Sequence, residues 1–167
     1  MTENLPHNPL RFKAENLTSE EQLDLYGKLL LPRMIEEKMM SQLRQGKISK
    51  WFSGMGQEAI SVGVAAAMPD DKFIFPMHRN LGVFTTRNVP LDRLFSQFQG
   101  KNHGFTKGRD RSFHFGSPEH KIVGMISHLG PQLGLADGVA LSEKLDQNGG
   151  CSFVFTGDGG ASEGDFH

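Results

Sequence analysis

The 167-residue sequence predicts an α/β fold, a parallel sheet with flanking helices and a long N-terminal helix. Three observations carry this expectation. Residues 121–126 and 151–156 read as strands on either side of a helical stretch, 130–144. Such a strand–helix–strand unit favours parallel pairing and a right-handed crossover. Phe73-Ile74-Phe75 is a short apolar run of the kind that makes a buried strand. Leu31, Ile35, Met39 and Leu43 recur at the spacing of one helix face.

Residues 1–17 lack periodicity and are expected to be an extended arm, ahead of a domain spanning 18–167. Thr18-Ser19-Glu20-Glu21 has the form of a capping box and starts the long helix. That helix should run to Gln45 and stop at Gly46, which suits a left-handed cap. Pro32 lies inside it and should kink or divide it. Residues 50–56 read as a turn or short extended piece. Gln57 to Met68 forms a second helix, expected to bury Ala59, Ile60, Gly63, Val64 and Ala67. Pro90 opens an amphipathic helix through Leu91, Leu94, Phe95 and Phe98, closed by Gly100. Residues 100–121 form a long loop, with Lys101, Lys107, Arg109, Arg111 and Lys121 against Asp110 and Glu119. A loop of that length inside a domain is uncommon and often functional.

Composition narrows the function. Eighteen Lys+Arg against 19 Asp+Glu leave a net charge of −1, which argues against a wholesale nucleic-acid or polybasic membrane binder. Cys151 is the only cysteine, so no internal disulfide or cysteine zinc site can form within the chain. No apolar run approaches the ~20 residues needed to cross a bilayer. The polar start, Met1 to Pro9, lacks the apolar core of a signal peptide. A cytoplasmic protein without a membrane partner is the expectation. Glu36-Glu37 read as a solvated helix face. His103, His114 and His120 follow no metal-ligand spacing and suit loop positioning.

Three segments follow predicted strands, where an open α/β sheet collects its ligand. In Gly157-Asp158-Gly159-Gly160, the aspartate suits a hard cation and the glycines leave backbone N–H groups open to phosphate. The alternative is an ordinary glycine turn. In His78-Arg79, the guanidinium could fork onto a phosphate or simply cap a strand end. In Ile126-Ser127-His128-Leu129-Gly130-Pro131, Ser127 could orient a ligand or serve as a helix cap. Their common position raises the ligand reading of all three together.

These landmarks, with Gly56-Gln57-Glu58-Ala59, Gly108-Arg109 … His114-Phe115-Gly116, Gln132 and Glu163-Gly164, resemble one family in order and spacing from about Leu17 to His167. It is the alpha subunit, or fused alpha region, of the thiamine-diphosphate-dependent dehydrogenase component of 2-oxo acid dehydrogenase complexes. The Gly-Arg … His-Phe-Gly stretch looks closest to the branched-chain (2-oxoisovalerate) enzymes. The resemblance implies an incomplete thiamine-diphosphate-binding fold and oxidative decarboxylation of a 2-oxo acid, with acyl transfer to a lipoyl arm. It implies thiamine diphosphate and Mg²⁺ as cofactors. Asp158 would be a Mg²⁺ ligand, with Gly159 and Gly160 against the diphosphate. Arg79 would contact the diphosphate, helped by position 78, which is His78 here where the family usually has tyrosine. Ser127 and the Leu129 backbone would lie on the aminopyrimidine side.

A potassium site is not expected, because the matching places read Ile126, His128 and Pro131. The implied partners are a beta subunit or fused beta region, a lipoyl acyltransferase core and the 2-oxo acid, in an oligomer. The family's asparagine pair, another Mg²⁺ ligand, would lie beyond His167, and its activating glutamate belongs to the beta part. The chain is therefore expected to be an N-terminal part, truncated after the Gly-Asp-Gly motif and inactive alone. Pyruvate or acetoin dehydrogenases, other thiamine-diphosphate enzymes, and a non-catalytic phosphate- or RNA-binding module remain as alternatives.

Overall fold

A computed structural model describes residues 16–126 and 130–167. Most of the expected arm, together with Ser127, His128 and Leu129, lies outside the described residues. Helix α1 spans Ser19–Arg44. Its capping box forms as the sequence requires: Glu21 N–H donates to Thr18 Oγ1 at 3.2 Å, and Thr18 N–H donates to the Glu21 carboxylate at 2.7 Å. At the other end Gly46 takes φ +68°. Its N–H bonds the Leu43 carbonyl and Lys47 N–H bonds Gln42, the paired bonds of a Schellman stop. Pro32 does not divide α1, which is one continuous 26-residue helix. A single proline removes one backbone donor, and Pro32 is itself buried where packing offsets that loss.

Ile35 and Met39 are buried, and Leu31 and Leu43 pack beside them, so the expected stripe of α1 faces the core. Glu36 corrects the expectation of a solvated face. It is 1% exposed, and its carboxylate accepts from Trp51 Nε1 at 2.7 Å and from Gly54 N–H at 2.8 Å. Two donors satisfy a charge that would otherwise be costly to bury. They also tie the connector after α1 back onto the helix.

Helix α2 spans Glu58–Ala67 and packs mostly a different face from the one expected, Val64 alone of the expected residues packing against the core. Ser61, Val62 and Ala65 are buried, whereas Ile60 is 60% exposed. Ser61 Oγ accepts from Asn80 Nδ2 at 3.0 Å. Gly82 lies so close that a Cβ there would stand 2.8 Å from Ser61 and Val62 carbons. A short helix, α3 (Leu81–Thr86), was not expected from the sequence and is wholly buried. Helix α4 spans Leu91–Phe98 and α5 spans Pro131–Leu145.

The sheet is parallel. Strand β1 (Ile74–Phe75) pairs with β2 (Phe153–Val154) in the register Ile74↔Phe153 and Phe75↔Val154. The strand expected at 121–126 reduces to one parallel bridge, Ile74↔Ile122. The two arms of the strand–helix–strand unit therefore flank β1 and both run parallel to it, rather than pairing with each other. Residues 100–121 are a loop as expected, apart from a 3-10 turn at Pro118–His120. The buried side chain of Gln97 holds the loop, donating to Thr106 Oγ1 at 3.0 Å and to the Arg111 carbonyl at 3.1 Å. Phe113 and Phe115 then reach the core.

Removing the Glu36 carboxylate strands two buried donors, each costing about 1–3 kcal/mol. Glu36→Ala is therefore expected to lower the free energy of unfolding by about 3 kcal/mol, and Glu36→Gln, which keeps an acceptor oxygen, by less. Urea melts of the two variants check this. Equal, small losses would mean that Trp51 and Gly54 find other partners.

Candidate functional site

The strand ends decide where the candidate residues stand. Arg79 lies four residues beyond Phe75, and Asp158 lies four beyond Val154, and those two strand residues are register partners. The same edge of the sheet therefore carries both. Gln132, on α5 and only 2% exposed, straps this end. Its Nε2 donates to the carbonyl of Phe75 in β1 at 3.0 Å and to that of Phe155, just past β2, at 3.2 Å. A single amide thus fixes the exit of β1 against the exit of β2.

The chain turns sharply after β1. Asn80 Oδ1 accepts from Met77 N–H at 2.8 Å, closing the turn that carries His78 and Arg79. On its other side Gly54 packs against the Arg79 carbonyl, leaving no room for a Cβ there. The Glu36 carboxylate that holds Gly54 therefore also backs the Arg79 turn. The Arg79 side chain is exposed and forms no ion pair among the described residues. His78 is half-buried, its ring edge-on to Phe52 with centroids 4.9 Å apart. Burial lowers its pKa, with further contributions from Arg79 and His114.

After β2, Phe155 is buried and the short helix α6 spans Asp158–Ala161. Asp158 is exposed and, among the described residues, pairs with no cation. Apart from adjoining residues and the helix's own backbone, nothing lies within 4 Å of where a Cβ would stand on Gly157 or Gly159, so the backbone here is open to a ligand. Gly160 is buried against Thr156, whose Oγ1 is buried without a hydrogen-bond partner. The Gln132 Oε1 is likewise buried and unpartnered. This donor set fits a phosphate group beside a hard cation: a free carboxylate, open glycine backbone and a free guanidinium.

Of the residues expected from the sequence, the fold brings His78, Arg79, Asp158, Gly159 and Gly160 to one sheet end. Ser127 and Leu129 lie outside the described residues. Sequence reasoning did not assign positioning roles to Glu36, Asn80 or Gln132. Trp51 was a usable signal for Glu36, since a buried indole N–H needs an acceptor. Two of the three loop histidines make hydrogen bonds that suit loop positioning, His103 with Asp92 at 3.0 Å and His120 with Ser117 Oγ at 2.7 Å. No group of three metal-ligating side chains occurs among the described residues.

Residues 26–167 match the family described as the dehydrogenase E1 component. The chain is 35% identical over 152 residues to the mitochondrial 2-oxoisovalerate dehydrogenase subunit alpha of Dictyostelium discoideum, covering 91% of this chain and 34% of that relative. It is 34% identical over 159 residues to the 2-oxoisovalerate dehydrogenase subunit alpha of Bacillus subtilis (strain 168), covering 94% and 48%. The mitochondrial subunit alpha of Homo sapiens is 32% identical over 152 residues, covering 91% and 34%. The chain spans about a third to a half of the length of these relatives.

The two lowered histidines set a pH dependence. Burial also lowers His114, with Arg111 adding to the effect and Asp110 opposing it. A histidine with a folded pKa below its unfolded value, ~6.5, contributes stability that is complete above that value. This contribution is lost as pH falls through the folded pKa. Stability should therefore decline on acidification from about pH 7 toward pH 5, before carboxylates titrate. Urea midpoints for the parent and the His78→Gln/His114→Gln variant test this, and a decline of equal steepness in both would exclude these two imidazoles as the cause.

Proposed function

The chain belongs to the dehydrogenase E1 component family, and on that premise we propose that it is the cofactor-holding alpha region of a thiamine-diphosphate-dependent 2-oxo acid dehydrogenase. The substrate class is a branched-chain 2-oxo acid, in line with the 2-oxoisovalerate dehydrogenase alpha subunits that the chain is similar to. The observation that carries the reading is the shared sheet end, with Arg79 and Asp158 at matching distances past paired strand residues. The partners are a beta subunit or fused beta region and a lipoyl acyltransferase core, in a multienzyme complex.

In this reading Asp158 holds Mg²⁺ through its carboxylate. A hard cation bound by one or two carboxylates plus phosphate oxygens is the usual Mg²⁺ arrangement. Gly159 and Gly160 lie against the diphosphate, and the Arg79 guanidinium donates to it. His78, kept neutral near pH 7 by burial, contributes a hydrogen bond without adding charge. By the family resemblance alone, Ser127 and Leu129, which lie outside the described residues, would serve the aminopyrimidine side. When bound, thiamine diphosphate supplies the electron sink for loss of carbon dioxide from a 2-oxo acid. The protein's part is to orient the cofactor and hold its charge, with the Gln132 strap and the Asn80 turn keeping the two binding segments in fixed relation.

Three variants of the full-length protein test the reading by cofactor affinity. Asp158→Ala should abolish Mg²⁺-dependent thiamine diphosphate binding in calorimetry while leaving the circular dichroism spectrum intact. Arg79→Ala removes a charge-assisted hydrogen bond and should raise the dissociation constant roughly 10- to 100-fold. Arg79→Lys should raise it less, because an ammonium keeps the charge but lacks the fork. Parental affinity in the Asp158 and Arg79 variants would return both residues to an ordinary turn and strand cap.

A further inference from the structure

Asn148 is the only asparagine in the chain that is followed by glycine. The others precede leucine, proline, valine or histidine. The next residue matters because its backbone nitrogen can attack the asparagine amide. Glycine has no Cβ to hinder that approach and takes backbone angles that other residues avoid. The fold also leaves this pair open. Asn148 and Gly149 are both exposed, in the connector between α5 and β2. Among the described residues, neither the Asn148 side chain nor the Gly149 N–H makes a hydrogen bond. Asn80, by contrast, is 3% exposed and has both side-chain polar atoms bonded.

Helix α5 ends with the same stop as α1 but without its glycine. Gln147 takes φ +56° where Gly46 takes +68°. The Gln147 N–H bonds the Lys144 carbonyl at 3.2 Å, and the Asn148 N–H bonds the Glu143 carbonyl at 3.1 Å. Gly149 follows at φ +61°. The residues on both sides of Asn148 thus hold the left-handed conformation, and the chain turns tightly around it. Beyond the turn the connector is held again. Gly150 packs against the Glu143 carboxylate, leaving no room for a Cβ, and that carboxylate pairs with Lys72 at 3.3 Å. Strand β2 then begins at Phe153. Asn148 therefore stands free between two fixed points, the stop of α5 and the Glu143–Lys72 pair.

We propose that Asn148 is a self-modifying site: it deamidates through the Gly149 backbone, and the isoaspartyl link that results loosens the passage from α5 to β2. The Gly149 nitrogen gives up its proton to solvent and attacks Asn148 Cγ. A Cγ–N bond forms, the Cγ–Nδ2 bond breaks, and ammonia leaves with a proton from solvent, giving a five-membered imide. Water then opens the ring. Attack at Cγ gives aspartate in the parent backbone. Attack at the main-chain carbonyl carbon of residue 148 breaks its bond to the Gly149 nitrogen and gives isoaspartate. One water is consumed, one ammonia is released, and no oxidant or reductant takes part. In the isoaspartyl form the main chain runs through Cβ and Cγ, so it is longer by one carbon before Gly149. The bond from the 148 N–H to Glu143 precedes this change and can persist. Gly149 and Gly150 must then shift against the Glu143 carboxylate, and a strand with only two ladder residues offers little resistance. The proposal does not rest on the cofactor reading.

The purified protein is incubated at mildly alkaline pH, and digested samples are followed by mass spectrometry. Labelling by an isoaspartyl methyltransferase counts the isoaspartyl links. The amide-to-acid mass gain should appear first in the peptide carrying Asn148, well ahead of Asn102, which is also exposed but precedes His103. It should quicken as pH rises, because the Gly149 nitrogen must lose a proton, and most of the product should be isoaspartyl. Asn148→Gln keeps the amide but needs a larger ring, so it should show no gain there over the same time. The protein unfolded in urea supplies the reference rate. Conversion in urea with none in the folded chain, or equal rates at Asn102 and Asn148, would overturn the site. The loosening is read by hydrogen exchange at the Phe153 and Phe155 N–H groups, which bond the Phe73 and Phe75 carbonyls. They should exchange roughly 10-fold faster in the isoaspartyl form than in the parent. Asn148→Asp, which adds the charge without lengthening the backbone, should exchange like the parent. Equal exchange in the parent and isoaspartyl forms would overturn the loosening, and equally fast exchange in Asn148→Asp would assign it to the charge rather than the link.

Discussion

The Glu36 carboxylate is the constraint from which much of the structure follows. It is buried on α1 and accepts from Trp51 Nε1 and Gly54 N–H. A buried carboxylate with two good donors is stable in place, and costly once either donor is lost. The bond to Trp51 fixes an indole against Phe98 and Phe113, which joins α1 to α4 and to the long loop. The bond to Gly54 fixes backbone that lies against the Arg79 carbonyl. One charged group thus supports the core on one side and the turn after β1 on the other.

The sheet end is built on a second polar device of the same kind. The parallel pairing of β1 and β2 is only two residues long in each strand, so the ladder alone fixes little. Gln132 supplements it by donating to both strand exits from the first turn of α5. Asn80 closes the turn that follows β1. Arg79 and Asp158 are left exposed on these fixed supports, free of internal ion pairs. Charged groups without internal partners, held on rigid elements, are what a site for a charged ligand requires.

Much of this was legible in the sequence because the signals were local. The capping box at Thr18, the stop at Gly46 and the apolar run at Phe73 act within a few residues, and each formed as expected. The face of α2 was not legible. Its sequence, EAISVGVAAA, is small or apolar almost all round, so periodicity cannot choose a side. The choice is made by Asn80 and Gly82, which approach Ser61 from far along the chain. Glu36 was misread for the same reason, since its partners lie 15 and 18 residues away. Helix α3, buried all round and only six residues long, offers no amphipathic period to detect. The strand ends that carry the candidate residues were more legible than the face of α2. A ligand site at strand ends needs only the strands and their order, and two of the three expected strands formed ladders at the expected places.

The central claim is that one sheet end, carrying Arg79 and Asp158, holds a metal–diphosphate group. A crystal structure of the full-length protein grown with thiamine diphosphate and Mn²⁺ in place of Mg²⁺ tests it most directly, because the metal can be located by its anomalous signal. The account predicts an anomalous peak within coordination distance of the Asp158 carboxylate, and diphosphate oxygens within hydrogen-bond reach of the Arg79 guanidinium. A metal–diphosphate density elsewhere, for example among Lys47, Arg109 and Arg111, with Asp158 and Arg79 still in solvent, would contradict it.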